Sequence, residues 1–237
     1  MAAGPTARSE NFSWTWLREK ETAGGQANVV LQDQDNLGVL FHPNYSSGTA
    51  AVRGDTALVR PFHYYWEVKM IRPVYGTDVI VGLATKDLDL SLHSNNFASL
   101  IGSDKHSWGY SFHGYVQHDG KKVFPSTFLI LFYISTLCLQ RQYGTGWGKD
   151  DIVGVHFDSW RGNLQFYVNR KPLGVAYQGL RPAEMFPVVS STAAKSEVKL
   201  ITALSFPNNL QFECFKTLSE KLPKSDLLNV FIPPGLR

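Results

Sequence analysis

Between Asn28 and Ile201 the apolar residues fall in short alternating or continuous runs rich in Val, Tyr, Phe and Trp, interrupted by Gly, Asn, Asp and Pro. Short runs with period two, punctuated by turn residues, predict strands and an all-β domain. The clearest runs are Tyr64 to Met70, Asp78 to Ala84, Trp108 to Phe112, Ile152 to Asp158, Leu164 to Val168 and Val198 to Ile201. Ser159-Trp160-Arg161-Gly162 is placed to turn the fourth run into the fifth, and Asn169-Arg170-Lys171 to turn the chain again into Leu173-Gly174-Val175-Ala176. No helical periodicity longer than two turns precedes residue 208, and strands do not alternate with helices, which disfavours a parallel sheet. The economical fold is an antiparallel two-sheet sandwich.

The pattern divides the chain into three parts. Residues 1–13 are small and polar and read as a flexible tail. Residues 14–206 carry the strand pattern, with the first packed segment near Trp14. After Phe206-Pro207 the period changes: Asn208 or Asn209 can cap a helix, and Leu210, Cys214, Leu218 and Leu222 recur every fourth residue until Pro223 stops the pattern. Four-residue steps drift by about 40° each around a helix, so these residues form one apolar stripe. That stripe must be buried against the sandwich or against another protein.

Within the β pattern, Thr127 to Leu139 (TFLILFYISTLCL) is almost wholly apolar. It is shorter than the roughly 20 residues of a membrane-spanning helix. A buried central strand is one reading. The flanks, Lys121-Lys122 and Arg141-Gln142-Tyr143-Gly144, read as neighbouring parts of one loop, so residues 123–140 are taken as an insertion derived from translated intron. Val123 begins with a GT codon, Gln140 has a codon form ending in AG, and the Phe, Leu, Ser and Cys codons between them can supply a pyrimidine tract.

Composition narrows the function. The 237 residues are 43% apolar and 13% aromatic, which excludes global disorder, and 23 Lys and Arg against 20 Asp and Glu give a net charge of +3 without a basic block. Neither nucleic acid nor an anionic membrane surface is an expected partner. Two cysteines, Cys138 and Cys214, and the lack of a secretory apolar region after Met1 point to a reducing compartment, cytoplasm or nucleus.

Catalytic and cofactor motifs fail on inspection. Gly144-Thr145-Gly146-Trp147-Gly148-Lys149 resembles a phosphate loop, but Tyr143 replaces its first Gly and Asp150 its Ser or Thr. Asp87-Leu88-Asp89 opens like a calcium loop, yet Leu92 and Ala98 stand where Gly and Glu are needed. Gly109-Tyr110-Ser111-Phe112-His113 lacks the last Gly of a nucleophile elbow and lies in a strand context. The seven histidines show no zinc spacing. No catalytic residue, metal ligand or cofactor is nominated, and the chain is expected to be a binding protein.

Five ordered blocks carry a resemblance: His63 to Val68, Val79 to Ala84, Ser107 to Tyr110, Ile152 to Asp158 and Gly162 to Asn169. In this order they resemble a SPRY domain over roughly residues 28 to 201. Pro73 to Asp78, Ser190 to Ala194 and the terminal Pro233-Pro234-Gly235-Leu236 make the chain similar to the SPRY domain-containing SOCS box family. The resemblance implies an all-β SPRY sandwich, with Trp66 and Trp108 in its core, followed by a short helical SOCS-box-like segment at 207–237.

It also implies a site. In this family the loops at one edge hold short asparagine-containing motifs of target proteins. The matching positions are Pro43, Asn44, Tyr45, Gly48 and Thr49 in the first loop, Phe97 in the second, where relatives have Tyr, and Thr192, Ala193 and Ala194 in the third, where relatives have Val-Trp-Gly. Loss of that Trp removes a wall and a donor, so the relatives' peptide preference does not transfer unchanged. Leu210, Cys214 and Leu218 match the Elongin C pattern, and Ile232, Pro233 and Pro234 resemble the start of the cullin-contacting part, whose helical continuation would lie past Arg237. The implied partners are Elongin B and C, a cullin-RING scaffold and the target protein. The competing expectation is a SPRY scaffold without ligase recruitment.

Overall fold

The computed structural model describes residues 13–17, 28–123, 143–181, 184–209, 213, 214, 217 and 221. Alternation in the sequence becomes two faces of a strand most plainly in Phe62–Met70. Tyr64, Trp66, Val68 and Met70 are buried on one side, and Tyr65 and Lys69 are partly exposed on the other. Among the described residues the strands are β1 (Val29–Leu31), β2 (Gly38–Phe41), β3 (Ala50–Arg53), β4 (Phe62–Met70), β5 (Val79–Ala84), β6 (Ser107–Ser111), β7 (Val116–His118), β8 (Lys121–Val123), β9 (Ile152–Asp158), β10 (Asn163–Val168), β11 (Lys171–Tyr177), β12 (Phe186–Ser191) and β13 (Ser196–Pro207). They form a seven-stranded sheet in the order β1-β2-β13-β4-β9-β10-β11 and a six-stranded sheet in the order β3-β12-β5-β6-β7-β8. Every pairing is antiparallel. The expected two-sheet sandwich is the observed fold.

Five of the six strands read from the sequence are present with small shifts at their ends, the sixth, Val198 to Ile201, is part of the longer β13, and the hairpin of β9 and β10 pairs Asn163 with Asp158 as its turn predicts. Asn169 and Arg170 turn β10 into β11 with positive φ at both (50° and 64°), the backbone of a two-residue hairpin turn. Between the sheets lie Phe41, Trp66, Tyr110 and Phe166, all at most 1% exposed, together with Trp108. Trp14 and Trp16 close one end, edge to face at 4.8 Å, with Trp14 6.3 Å from Trp66. Trp14 and Trp16 are thus part of the main core. A second, smaller core forms where Leu88, Leu90, Leu100 and Ile101 of the 85–106 connection cover Ala51, Ile80, Ala84 and Val188 on the outer face of the six-stranded sheet.

On the outer face of the seven-stranded sheet, Glu67 is only 3% exposed. Its carboxylate accepts from Tyr65 Oη (2.8 Å), Arg170 Nε (3.0 Å) and Nη2 (3.2 Å), and Thr202 Oγ1 (3.3 Å). Burial alone would raise its pKa, but these donors and the guanidinium charge outweigh burial and hold it below the ordinary value.

Val123 pairs with Val116 at the end of β8 and packs against the main core. The rest of the apolar insertion, residues 124–140, lies outside the described residues. Tyr143, just beyond it, is buried, donating from Oη to Gly174 O (2.9 Å) and accepting from Phe166 N (3.0 Å).

Candidate functional site

β2, β12 and the bond network before β5 bring the three predicted loops to one end of the sandwich. His42 begins the first loop with φ of 47°; it is fully buried and donates from Nε2 to Ser191 O at 3.1 Å. Burial lowers its pKa and keeps the ring neutral, which suits a donor aimed at a backbone carbonyl. Ser46 Oγ then reaches Thr192 O at 2.8 Å, with Gly48 O at 2.9 Å, tying the first loop to the third. Thr49 ties it to the second: its Oγ1 donates to Ala98 O at 2.6 Å, with Asn96 O at 3.2 Å, and its amide donates to His93 O.

Gly48 allows this approach. A Cβ there would stand 2.4 Å from Ser94 O and 2.6 Å from Asn96 N, both backbone atoms. The residue type is thus fixed by the distance between two loops.

The predicted residues separate into two kinds. Thr49, Thr192 and Ala193 are at most 3% exposed and build the site from below. Tyr45 (67% exposed) and Phe97 (52%) stand in solvent beside them, with Asn44 exposed and Pro43 and Ala194 partly so. Two large uncovered rings stand on neighbouring loops held by the sheets, an arrangement of the kind that binding surfaces use. No Asp, Glu, Lys or Arg lies between residues 42 and 49 or between 93 and 102, and the third loop adds the exposed Lys195.

Sequence reasoning missed the parts that join these loops. Tyr75 donates from its hydroxyl to Ala194 O, bringing the 71–78 connection to the same edge with a third exposed ring. Beneath it, the carboxylate of Asp78, 2% exposed, accepts from Ser111 Oγ (2.6 Å), Ser99 Oγ (2.5 Å) and the Tyr115 hydroxyl. Lys122 Nζ donates in turn to Ser99 Oγ (3.2 Å) and Tyr115 Oη (2.9 Å), so both hydroxyl protons are directed at Asp78. Burial, then the Asp78 charge, push the Tyr115 phenol up. The main chain of Asp78 exchanges further bonds with Thr192. One buried aspartate therefore connects the second loop through its carboxylate, the third loop through its main chain, and β8 through Lys122 on Ser99 and Tyr115. Its partners are scattered from residue 99 to residue 192, and no spacing rule would gather them.

The segment after Pro207 leaves at the other end of β4, about 30 Å away for nine extended residues. Asn208 N donates to Pro61 O (3.1 Å), and Glu213 N to Asn209 O (3.1 Å), the bond of an α-helical turn. Glu213, Cys214, Thr217 and Lys221 have helical backbone. Arg161 donates to Glu213 through both terminal nitrogens, at 2.8 and 2.9 Å, and His63 Nε2 lies 3.6 Å from the same carboxylate. Asp158 accepts the amides of Trp160 and Arg161. Burial would raise its pKa, but the Arg161 amide, the His63 ring and the Arg161 guanidinium keep it below the usual value. Cys214, by contrast, is a free and exposed thiol. Leu210, Leu218, Ile232, Pro233 and Pro234 lie outside the described residues.

Among the described residues no three His, Cys, Asp or Glu side chains lie close enough to hold a metal ion, and no helix is long and apolar enough to cross a membrane. Ser111, read above as a failed nucleophile, is a buried strand residue whose hydroxyl donates to Asp78.

The profile of the SPRY domain family matches residues 63–205, more than half of the chain. SPRY domain-containing SOCS box protein 3 of Xenopus tropicalis is 41% identical over 228 residues, covering 95% of this chain and 57% of its own length. The chain thus spans a little over half of the curated relatives it matches. Two solved structures share the fold at 16% identity. The SPRY domain of human HERC1 has a TM-score of 0.52, covering 73% of this chain and 92% of its own. The PSpry domain of TRIM65 has a TM-score of 0.55, covering 85% and 100%.

Proposed function

Because this chain belongs to the SPRY domain family, whose domain is in general a non-catalytic binding module, we propose that it is a substrate receptor of an Elongin and cullin-RING ubiquitin ligase. The loops at 42–49, 93–102 and 192–195 hold a short asparagine-containing motif of a target protein, with Tyr45 and Phe97 as anchors. The segment beginning at Asn209 is a SOCS-box helix whose Leu210, Cys214 and Leu218 dock on Elongin C, and Ile232, Pro233 and Pro234 begin the cullin contact. The chain contributes no chemistry. It raises the effective concentration of the target near the ubiquitin-charged enzyme. The same reading implies a reducing compartment, cytoplasm or nucleus.

One observation carries this reading: Glu213 faces the sandwich while its neighbour Cys214 is exposed. Successive helical residues lie about 100° apart, so the face that includes Cys214 is not the face that Arg161 holds. Cys214 is thus open to an outside partner. An amphipathic helix presenting apolar residues at every fourth position is the form that a groove-binding helix takes. The relative's name, which includes a SOCS box, agrees.

The test is capture of purified Elongin B and Elongin C by the intact chain. Stable binding that Leu210→Ala weakens tenfold or more supports the proposal, since burying one leucine is worth about 1.5 to 3 kcal/mol. Absence of Elongin binding would leave a SPRY interaction scaffold.

A further inference from the structure

The contact between the sandwich and the segment after Pro207 has more structure than a covalent link requires. Asp158 and His63 are paired residues at one end of β9 and β4, two inner strands of the seven-stranded sheet. Asp158 Oδ1 accepts the Arg161 amide at 2.9 Å, and Asp158 Oδ2 lies 3.4 Å from Arg161 Nη1, which fixes the arginine at both its backbone and its side chain. The guanidinium then meets Glu213 with both terminal nitrogens. His63, fully buried and stacked on His156 at 5.6 Å, approaches the same carboxylate from the sheet side. Asn208 adds its amide bond to Pro61 and its Oδ1 at 3.4 Å from His63 Nε2.

We propose that Arg161 and Glu213 are positioning residues that fix the angle between the target-binding sandwich and the helix proposed to dock on Elongin C. A single hydrogen bond leaves a helix free to swivel about it. A planar fork fixes the plane of the carboxylate as well as its distance, and contact with a second group removes the remaining rotation. Arg161 is 46% exposed at its side chain, and exposed ion pairs add little to stability, so orientation is the effect that this arrangement delivers in full. The consequence lies at the far end. A helix that swivelled would spread its partner over many positions relative to the loops, about 30 Å away along β4, and dilute the effective concentration on which transfer depends.

This inference rests on the proposed adaptor role only for its consequence, and its test separates the two. Spin labels are attached through non-natural side chains at Lys171 on β11 and at Lys221, both exposed, in the full chain, and their distance distribution is measured. The unsubstituted chain should give one narrow peak. Arg161→Glu, Glu213→Arg and the milder Glu213→Gln should each lose it to a broad distribution, while thermal melts verify that the sandwich stays folded. Arg161→Lys, which keeps the charge and loses the fork, should broaden it as well. A broad distribution in the unsubstituted chain, or a narrow one in every variant, would overturn the proposal. Elongin capture is measured on the same samples: a narrow peak without capture retains the joint and removes the adaptor reading.

Discussion

Thr49 Oγ1 stands 2.6 Å from Ala98 O, the bond by which a buried residue of the first loop holds the residue next to Phe97 in the second. The anchors of the candidate site are therefore placed by side chains that a partner need not touch. Thr49→Val keeps the shape and removes the donor, leaving the Ala98 carbonyl short of a partner. The expected loss is about 1 to 3 kcal/mol of stability, read as a lower midpoint in urea, with increased proteolysis near residue 97.

The exposed rings should behave in the opposite way. Tyr45→Ala and Phe97→Ala remove side chains that stand largely in solvent, so the melting temperature should hold. Target capture should weaken by about 1 to 3 kcal/mol for each if the rings are central anchors, measured by calorimetry against an identified target peptide. Unchanged affinity in both would move the site elsewhere.

Two buried carboxylates should contribute to the acid limb of stability. Glu67 and Asp158 both have folded pKa values held below their ordinary ones, so their contribution is complete above the unfolded carboxylate range and is lost as pH falls through it toward the lower folded values. Glu67→Gln should lower stability at neutral pH and flatten its decline in acid. A slope between neutral pH and the acid transition that equals that of the unsubstituted chain would show that Glu67 does not contribute in this way.

Much of this was legible in advance, for identifiable reasons. Trp66, Phe157 and Phe166 lie in runs where apolar positions alternate along the strand, so period two finds them. β13 was read only from Val198 to Ile201 because a register shift between Leu200 and Thr202 reverses the alternation halfway along it. β12 went unread because Pro187, ordinarily a mark against an inner strand, stands second in it. The first three strands are three or four residues long, too short for a period to show. At the site, the resemblance supplied the loops, but it gave no sign that Thr49, Thr192 and Ala193 face inward. Asp78 read as a strand end because a single aspartate before a strand is an ordinary turn residue. Its role appears only when Ser99, Ser111, Tyr115 and Lys122 are brought around it.

The apolar insertion has its own test. Deleting residues 123–140 should leave a cooperative melt and improve solubility, because it removes an apolar run of high strand propensity. Val123 pairs with Val116, so a deletion that begins at 124 should be the more stable of the two. Unfolding in both would identify the run as a native element and end the intron interpretation, which sequencing the spliced transcript across Lys122 and Arg141 tests independently.

The most direct measurement of the central claim compares protein abundance in cells expressing the intact chain, the Phe97→Ala variant and the Leu210→Ala variant at equal levels. The account predicts a set of proteins depleted by the intact chain and spared by both variants, since one loses the target and the other the ligase. The spared proteins should still be captured by Leu210→Ala and not by Phe97→Ala. Depletion that persists in Leu210→Ala, or no depletion by the intact chain, would contradict it.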